Sequence, residues 1–181
     1  MASCFGHAVA AAGLGAILLR KEDGARPWIA GILLANVADL DVLGFPLGIP
    51  YAHAWGHRGA THSVALALIL AWAALRLLAP AEGARPRIGV YCVLAALSHG
   101  LLDMATTGGL GVALAWPLSE VRWFWPRRPI RVSPIGIGPF FTARGLRVLA
   151  SEAVWIGIPT LGACGLGWVL RSRRARSETA G

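Results

Sequence analysis

IGVYCVLAALSHGLLDMAT, residues 88–106, contains no Lys, Arg or Glu and places two strongly polar groups, His99 and Asp103, near its end. Its length is close to the ~20 residues that an α-helix needs to cross the hydrocarbon of a bilayer. An Asp inside such a helix costs ~2.5 to 3.5 kcal/mol on insertion scales, so Asp103 requires a reason to be there. His99 lies four residues earlier, which puts an imidazole and a carboxylate on one helix face. There they can grip one metal ion, or simply share an interhelical hydrogen bond.

Four more apolar blocks flank this one, at 1–19, 27–48, 62–80 and 151–170. The predicted architecture is all-α: a polytopic membrane bundle of five helices, the last interrupted by Pro159, which membrane helices tolerate. Residues 1–170 form one transmembrane domain and 171–181 a basic C-terminal tail. The connection at 107–150 is long and rich in Gly, Pro, Trp and Arg, and its apolar start, 108–118, suits a re-entrant piece. Residues 1–19 hold no Lys, Arg, Asp or Glu, so the basic start of a secretory signal is missing and the block reads as a retained helix.

Composition agrees. Of 181 residues, 56% are hydrophobic and 14% charged, with a mean hydropathy of +0.59, against ~25% charged in soluble domains. This rules out a disordered chain and argues against a soluble domain. The net charge of +8 comes almost wholly from arginine, Lys21 being the single lysine. These arginines cluster between apolar segments, as membrane flanks do, and that argues against a nucleic-acid partner. Cys4, Cys92 and Cys164 form no CxxC pair and give neither a disulfide framework nor a zinc ribbon.

The remaining polar residues are concentrated. Asp39, Asp41 and Asp103 are three of four aspartates, and His7, His53, His57, His62 and His99 all lie in or beside the same blocks. Asp39 and Asp41 cannot point the same way on a regular helix, so this D-x-D suggests an unwound or terminal turn that presents two carboxylates together. His57-Arg-Gly-Ala-Thr-His62-Ser is a polar lead-in to the third block, with Gly59 permitting a tight turn. Taken singly, His7 suits a satisfied polar group and His53 carries no signal. Taken together, the residues point to a metal site.

Five helices bring every candidate ligand to one membrane face. Ten basic residues fall on the opposite side: Arg20, Lys21, Arg26, Arg76, Arg85, Arg87, Arg171, Arg173, Arg174 and Arg176. Seven fall on the candidate side, six of them in the long connection, where charges count less. The expected topology therefore has the site outside and the C-terminus in the cytoplasm.

The early His7, Asp39-Leu-Asp41, the H-R-G-x-T-H-S string from His57 to Ser63, S-H-x-x-x-D from Ser98 to Asp103, and Trp116-Pro117 resemble the YdjM/YbcI-type membrane-bound metal-dependent hydrolase family over roughly residues 5–120. The resemblance implies an integral-membrane protein of a bacterial or archaeal cell membrane, with metal-dependent hydrolysis. The family's Pro before the first Asp and His after the second are here Ala38 and Val42; His53 is a candidate substitute for the missing His.

His7, Asp39, Asp41, His57, His62, His99 and Asp103 are too many ligands for one tetrahedral zinc. Two divalent ions, zinc or manganese, fit the count and the mixed donors better. With no H-E-x-x-H string present, a phosphoester in a lipid-like or amphiphilic substrate is the expected target. His57 is expected to act in catalysis, with Arg58 in catalysis and on the substrate phosphate, since an Arg fork matches phosphate oxygens. Arg122 belongs to an aromatic and Arg-rich stretch, 116–131, that suits either a substrate cradle or an interfacial belt in contact with membrane lipid. The alternative is a metal-binding or metal-transporting membrane protein without hydrolytic activity.

Overall fold

A computed structural model describes residues 1–179, all-helical apart from turns and two isolated β-bridges; Ala180 and Gly181, the end of the expected tail, lie outside the described residues. Helix α1, Cys4–Leu18, starts at Ser3, whose hydroxyl accepts the Gly6 N–H. Helix α2, Ala25–Leu34, gives way after Ala35 to a 3₁₀ segment, Val37–Gly44. Helix α3, Val64–Leu78, is capped by Ser63 and closes at Ala79, which takes a left-handed φ of 41° just before Pro80. Helix α4 is Arg85–Met104.

Three stretches are long and apolar enough to cross a membrane: Ala25–Gly44, Arg85–Met104 and Ala143–Val169. Helices α1 and α3 are apolar but have only 15 residues each, ~22 Å of helix against ~30 Å of hydrocarbon. The third block is shorter than the expected 62–80 because a 3₁₀ turn, Ala60–His62, takes its first residues and Pro80 prevents its continuation.

Helix α4 is the centre of the bundle. Its buried face runs through Ile88, Tyr91, Cys92, Ala95, Ala96, His99, Gly100 and Asp103, a helical period along the whole length. Helices α1, α2 and α3 all pack against α4, and α2 also touches α1 and α3. Helix α2 comes very close: a Cβ at Gly31 would lie 2.1 Å from the Tyr91 hydroxyl, so only glycine fits.

The connection after α4 has no helix over 108–118; instead it folds back across the bundle end, with Val112 and Ala113 buried. Backbone bonds fasten it there, Val64 N–H to Leu114 O at 3.0 Å and Ala113 N–H to Arg58 O at 3.0 Å. Helices α5, Ile137–Phe140, and α6, Ala143–Glu152, follow. Helix α6 runs through a π turn, Ala153–Gly157, into α7, Ile158–Thr179, so the last helix starts before the expected residue 151 and continues through most of the basic tail. The π turn lies just before Pro159, whose ring and missing N–H exclude the regular bond one turn back.

Candidate metal centre

Alternating helix directions gather the polar residues at one end of the bundle: His7 at the start of α1, Asp39 and Asp41 after α2, His62 just before α3, His99 and Asp103 at the end of α4. The 3₁₀ segment decides how the two aspartates point. With about three residues per turn, side chains two apart diverge by roughly 120°, so Asp39 and Asp41 approach His62 from different sides. Asp39 Oδ1 lies 3.6 Å from Nε2 of that ring and Asp41 Oδ2 lies 3.2 Å from Nδ1. The D-x-D leaves the regular helix as expected, in a tightened 3₁₀ segment instead of an unwound turn, and it aims its carboxylates at opposite nitrogens of one histidine.

Around His62 Nε2 the other groups converge. His99 Nε2 is 2.9 Å away, Asp103 Oδ2 3.5 Å away, and His99 Nε2 lies 3.4 Å from Asp39 Oδ1. One donor atom from each of Asp39, His62, His99 and Asp103 fits within 4.8 Å of all the others, the spread of a single ion's ligands. His7 stacks on His99 with ring centroids 3.9 Å apart and turns Nε2 to Asp103 Oδ1 at 3.5 Å and Asp39 Oδ2 at 4.0 Å. Each of these two carboxylates thus shows one oxygen to His7 and the other to His62.

The support around this set is specific. His99 Nδ1 meets Ala35 O at 2.7 Å, which leaves Nε2 free to face the cluster. Asp41 is fully engaged: Oδ1 pairs with His57 Nδ1 at 2.6 Å, and Oδ2 accepts the Thr61 hydroxyl at 2.6 Å and the Arg58 N–H at 3.1 Å. Arg58 makes this turn in the left-handed region, φ 64°, an unfavourable place for a long side chain. Gly59 follows because a Cβ there would lie 2.1 Å from Ala54 O. Three carboxylates, Asp39, Asp41 and Asp103, lie 3.2–3.6 Å from the ring nitrogens of His62. The pocket is a strong attractor for positive charge.

That charge has a natural form. His7 Nε2, both Asp39 oxygens and Asp103 Oδ2 are buried and have no hydrogen-bond partner in the protein. Each such group costs about 1–3 kcal/mol, more when charged, and a cation satisfies all of them at once. The Arg58 guanidinium, with Nε 3.2 Å from Asp103 Oδ2, and the Met1 ammonium, 3.9 Å from the same oxygen, counter part of the charge of the Asp39, Asp41 and Asp103 carboxylates, and a metal cation would counter the rest. Mixed imidazole and carboxylate donors are compatible with a metal ion.

The model of the YdjM inner membrane protein family matches residues 1–175. The inner membrane protein YbcI of Escherichia coli (strain K12) is 36% identical over 168 residues, covering 90% of this chain and 94% of its own length. The chain belongs to the YdjM family. No solved structure matches it.

The chain brings Asp39, His62, His99 and Asp103 together, with His7 against them, and also Asp41, His57 and His62, a second group whose donor atoms lie within 4.8 Å of one another and in which Asp41 and His57 are hydrogen-bonded. His53 stays exposed, its Nδ1 accepting the Trp55 N–H, and so does not replace the histidine missing at Val42. The two arginines expected at a substrate are committed inside the protein. Arg58 is fully buried, its guanidinium donating to Gly108 O and Thr106 Oγ1, both at 2.8 Å, with Nε 3.2 Å from Asp103 Oδ2. Arg122 donates to the carbonyls of His57, Tyr51 and His53 and braces the loop that carries His57.

A further buried acid, Glu152, supports the helix that carries His7. It accepts both the N–H and the hydroxyl of Ser3, the cap of that helix. As the single acidic residue within the apolar block 151–170 it is open to the same argument as Asp103.

Proposed function

We propose that this YdjM-family membrane protein is a metal-dependent hydrolase that cleaves a phosphoester in a lipid-like or amphiphilic substrate. The observation that carries the reading is the convergence of Asp39, His62, His99 and Asp103 with unpartnered, buried donor atoms among them. By the number of donors, two divalent ions, zinc or manganese, would be held by residues of the set His7, Asp39, Asp41, His57, His62, His99 and Asp103. When bound, they supply Lewis acidity that makes water a nucleophile at neutral pH and positive charge to suit a phosphoryl group.

The chain's own residues do the rest. Asp41 fixes His57 by its Nδ1 and leaves the other ring nitrogen to take or give a proton. Asp41 also holds the Nδ1 side of His62, and Ala35 O that of His99, so both ligating rings are oriented in advance. Arg58, held on Gly108 and Thr106, keeps a fixed positive charge beside Asp103 instead of reaching out to substrate.

The test is purified protein in lipid nanodiscs, assayed for metal content and for turnover of bis(p-nitrophenyl) phosphate, p-nitrophenyl phosphate and phospholipid. Chelator-sensitive phosphoester turnover, restored by zinc or manganese, is expected. Turnover of peptide or carboxylic ester substrates alone overturns the phosphoester assignment. Bound metal with no turnover of any substrate favours a metal-binding or transporting role.

The topology that goes with this reading has five crossings, the metal site outside and the C-terminus inside. It rests on ten basic residues at the opposite end against seven at the site's end. A C-terminal reporter that works only outside the cytoplasm is expected to be silent, and an active one inverts the arrangement.

A further inference from the structure

The metal cluster borders an apolar cavity of about 130 Å³ lined by α3 and α4 together with the end of α2 and the 3₁₀ segment after it, with His62 and His99 in its lining. That lining runs from Val64 and Leu101, 40% and 44% exposed on the outside of the bundle, to His62 and His99, 4% and 1% exposed. The walls between are Ala67, Leu70 and Ala96. The alanines make the room: a larger side chain at 67 or 96 would take up the space itself.

What can fill such a cavity follows from its chemistry. An ionic or sugar-like group would forfeit its hydrogen bonds along the apolar walls. Apolar cavities of about 150 Å³ stay dry and bind benzene, a six-carbon hydrocarbon. Helix α4 is among the stretches long and apolar enough to cross a membrane, and Leu101, close to its end, exposes the cavity on the side of the bundle.

We propose that this cavity binds the first carbons of the substrate's alkyl chain, which enters sideways from the bilayer between α3 and α4 and brings the bond next to the chain against His62 and His99. The proposal rests on the hydrolase reading for its head group only. It makes the cleft a chain-length gauge: binding improves with each methylene up to about six carbons and then levels off. A methylene moved from water into the cavity contributes about 0.8 kcal/mol, close to fourfold in affinity per carbon; moved from lipid it gains little, so the gauge is read between variants at one chain length.

The experiment measures binding of two alkyl series, phosphonates and hydroxamates from ethyl to octyl, to zinc-loaded protein in nanodiscs. Wild type is compared with Ala67→Leu, Ala96→Leu and Leu70→Ala. Comparing variants at one chain length cancels partition of the probe into lipid. The expected weakening in Ala67→Leu or Ala96→Leu is within twofold for the ethyl probes and at least tenfold for the hexyl probes. In Leu70→Ala, which enlarges the cavity, the plateau moves beyond hexyl, and this variant decides the matter if the filled ones do not fold. Equal weakening at every chain length in the filled variants, with an unmoved plateau in Leu70→Ala, overturns the proposal. Chain-length dependence with hydroxamates but no phosphonate binding retains the alkyl site and rejects the phosphoester reading.

Discussion

Helix α4 carries two contrasting halves on one face. In its first turns the buried positions are Ile88, Tyr91, Cys92, Ala95 and Ala96, packed with Leu34, Ala35, Ala67 and Ala71. In its last turns the same face continues as His99, Gly100 and Asp103. Both halves are closed to solvent, but they differ in what they leave unpaired. The apolar half has one orphan, the Tyr91 hydroxyl, pressed against Gly31. The polar half has His7 Nε2, both Asp39 oxygens and Asp103 Oδ2, all turned toward each other. A lone orphan is a packing cost, whereas several that converge specify a ligand.

The sharpest way to break this contrast is to remove a converging donor. His99→Ala and Asp103→Ala are each expected to lower bound zinc or manganese to background in elemental analysis, while circular dichroism keeps the helical signal. The apolar half is untouched by either change and continues to hold α3 and α4 together. Wild-type metal content in both variants would break the assignment of the polar half.

A smaller effect is expected one shell out. Asp41→Asn leaves the four converging donors in place but loosens the rings of His57 and His62. Loss of such an orienting group typically costs 10–100-fold in metal affinity. Competition with a chromogenic chelator reads this directly. A loss as complete as that of Asp103→Ala would make Asp41 a ligand and extend the centre toward His57.

Much of this half could be read in the sequence. The i, i+4 spacing of His99 and Asp103 fixes a shared helix face whatever surrounds it, and the alternation of helices sends His7, Asp39, His62 and His99 to one end. Three things could not be read. The divergence of Asp39 and Asp41 depends on the 3₁₀ turn and on one histidine offering both its nitrogens. The engagement of Arg58 depends on residues 106–108 folding back, a contact spanning about fifty positions. The lengths of α1 and α3 depend on caps at Ser3 and Ser63, which cut the apolar blocks where composition alone continues them.

Arg58→Lys separates an internal clamp from a substrate group. A lysine loses the paired bonds to Gly108 O and Thr106 Oγ1 while keeping a charge near Asp103. The expected loss of stability is about 1–3 kcal/mol, seen as a lower midpoint of thermal unfolding, with faster proteolysis of the 106–112 segment. Unchanged unfolding together with a large fall in phosphoester turnover would return Arg58 to the substrate.

The smallest expected effect tests the apolar half. Tyr91→Phe keeps the ring that fills the space against Gly31 and deletes a hydroxyl that has no partner. Removing an unsatisfied buried polar group is neutral or stabilising, because the desolvation it cost is recovered. The unfolding midpoint should therefore hold or rise by the equivalent of up to about 1 kcal/mol, and metal content should not move. The same kind of deletion in the polar half, His99→Ala, abolishes metal binding, so the pair of variants separates an orphan that is only a cost from orphans that have a ligand. A clear drop in stability for Tyr91→Phe would mean that the hydroxyl is hydrogen-bonded in the membrane, and the apolar half would then hold a polar contact of its own.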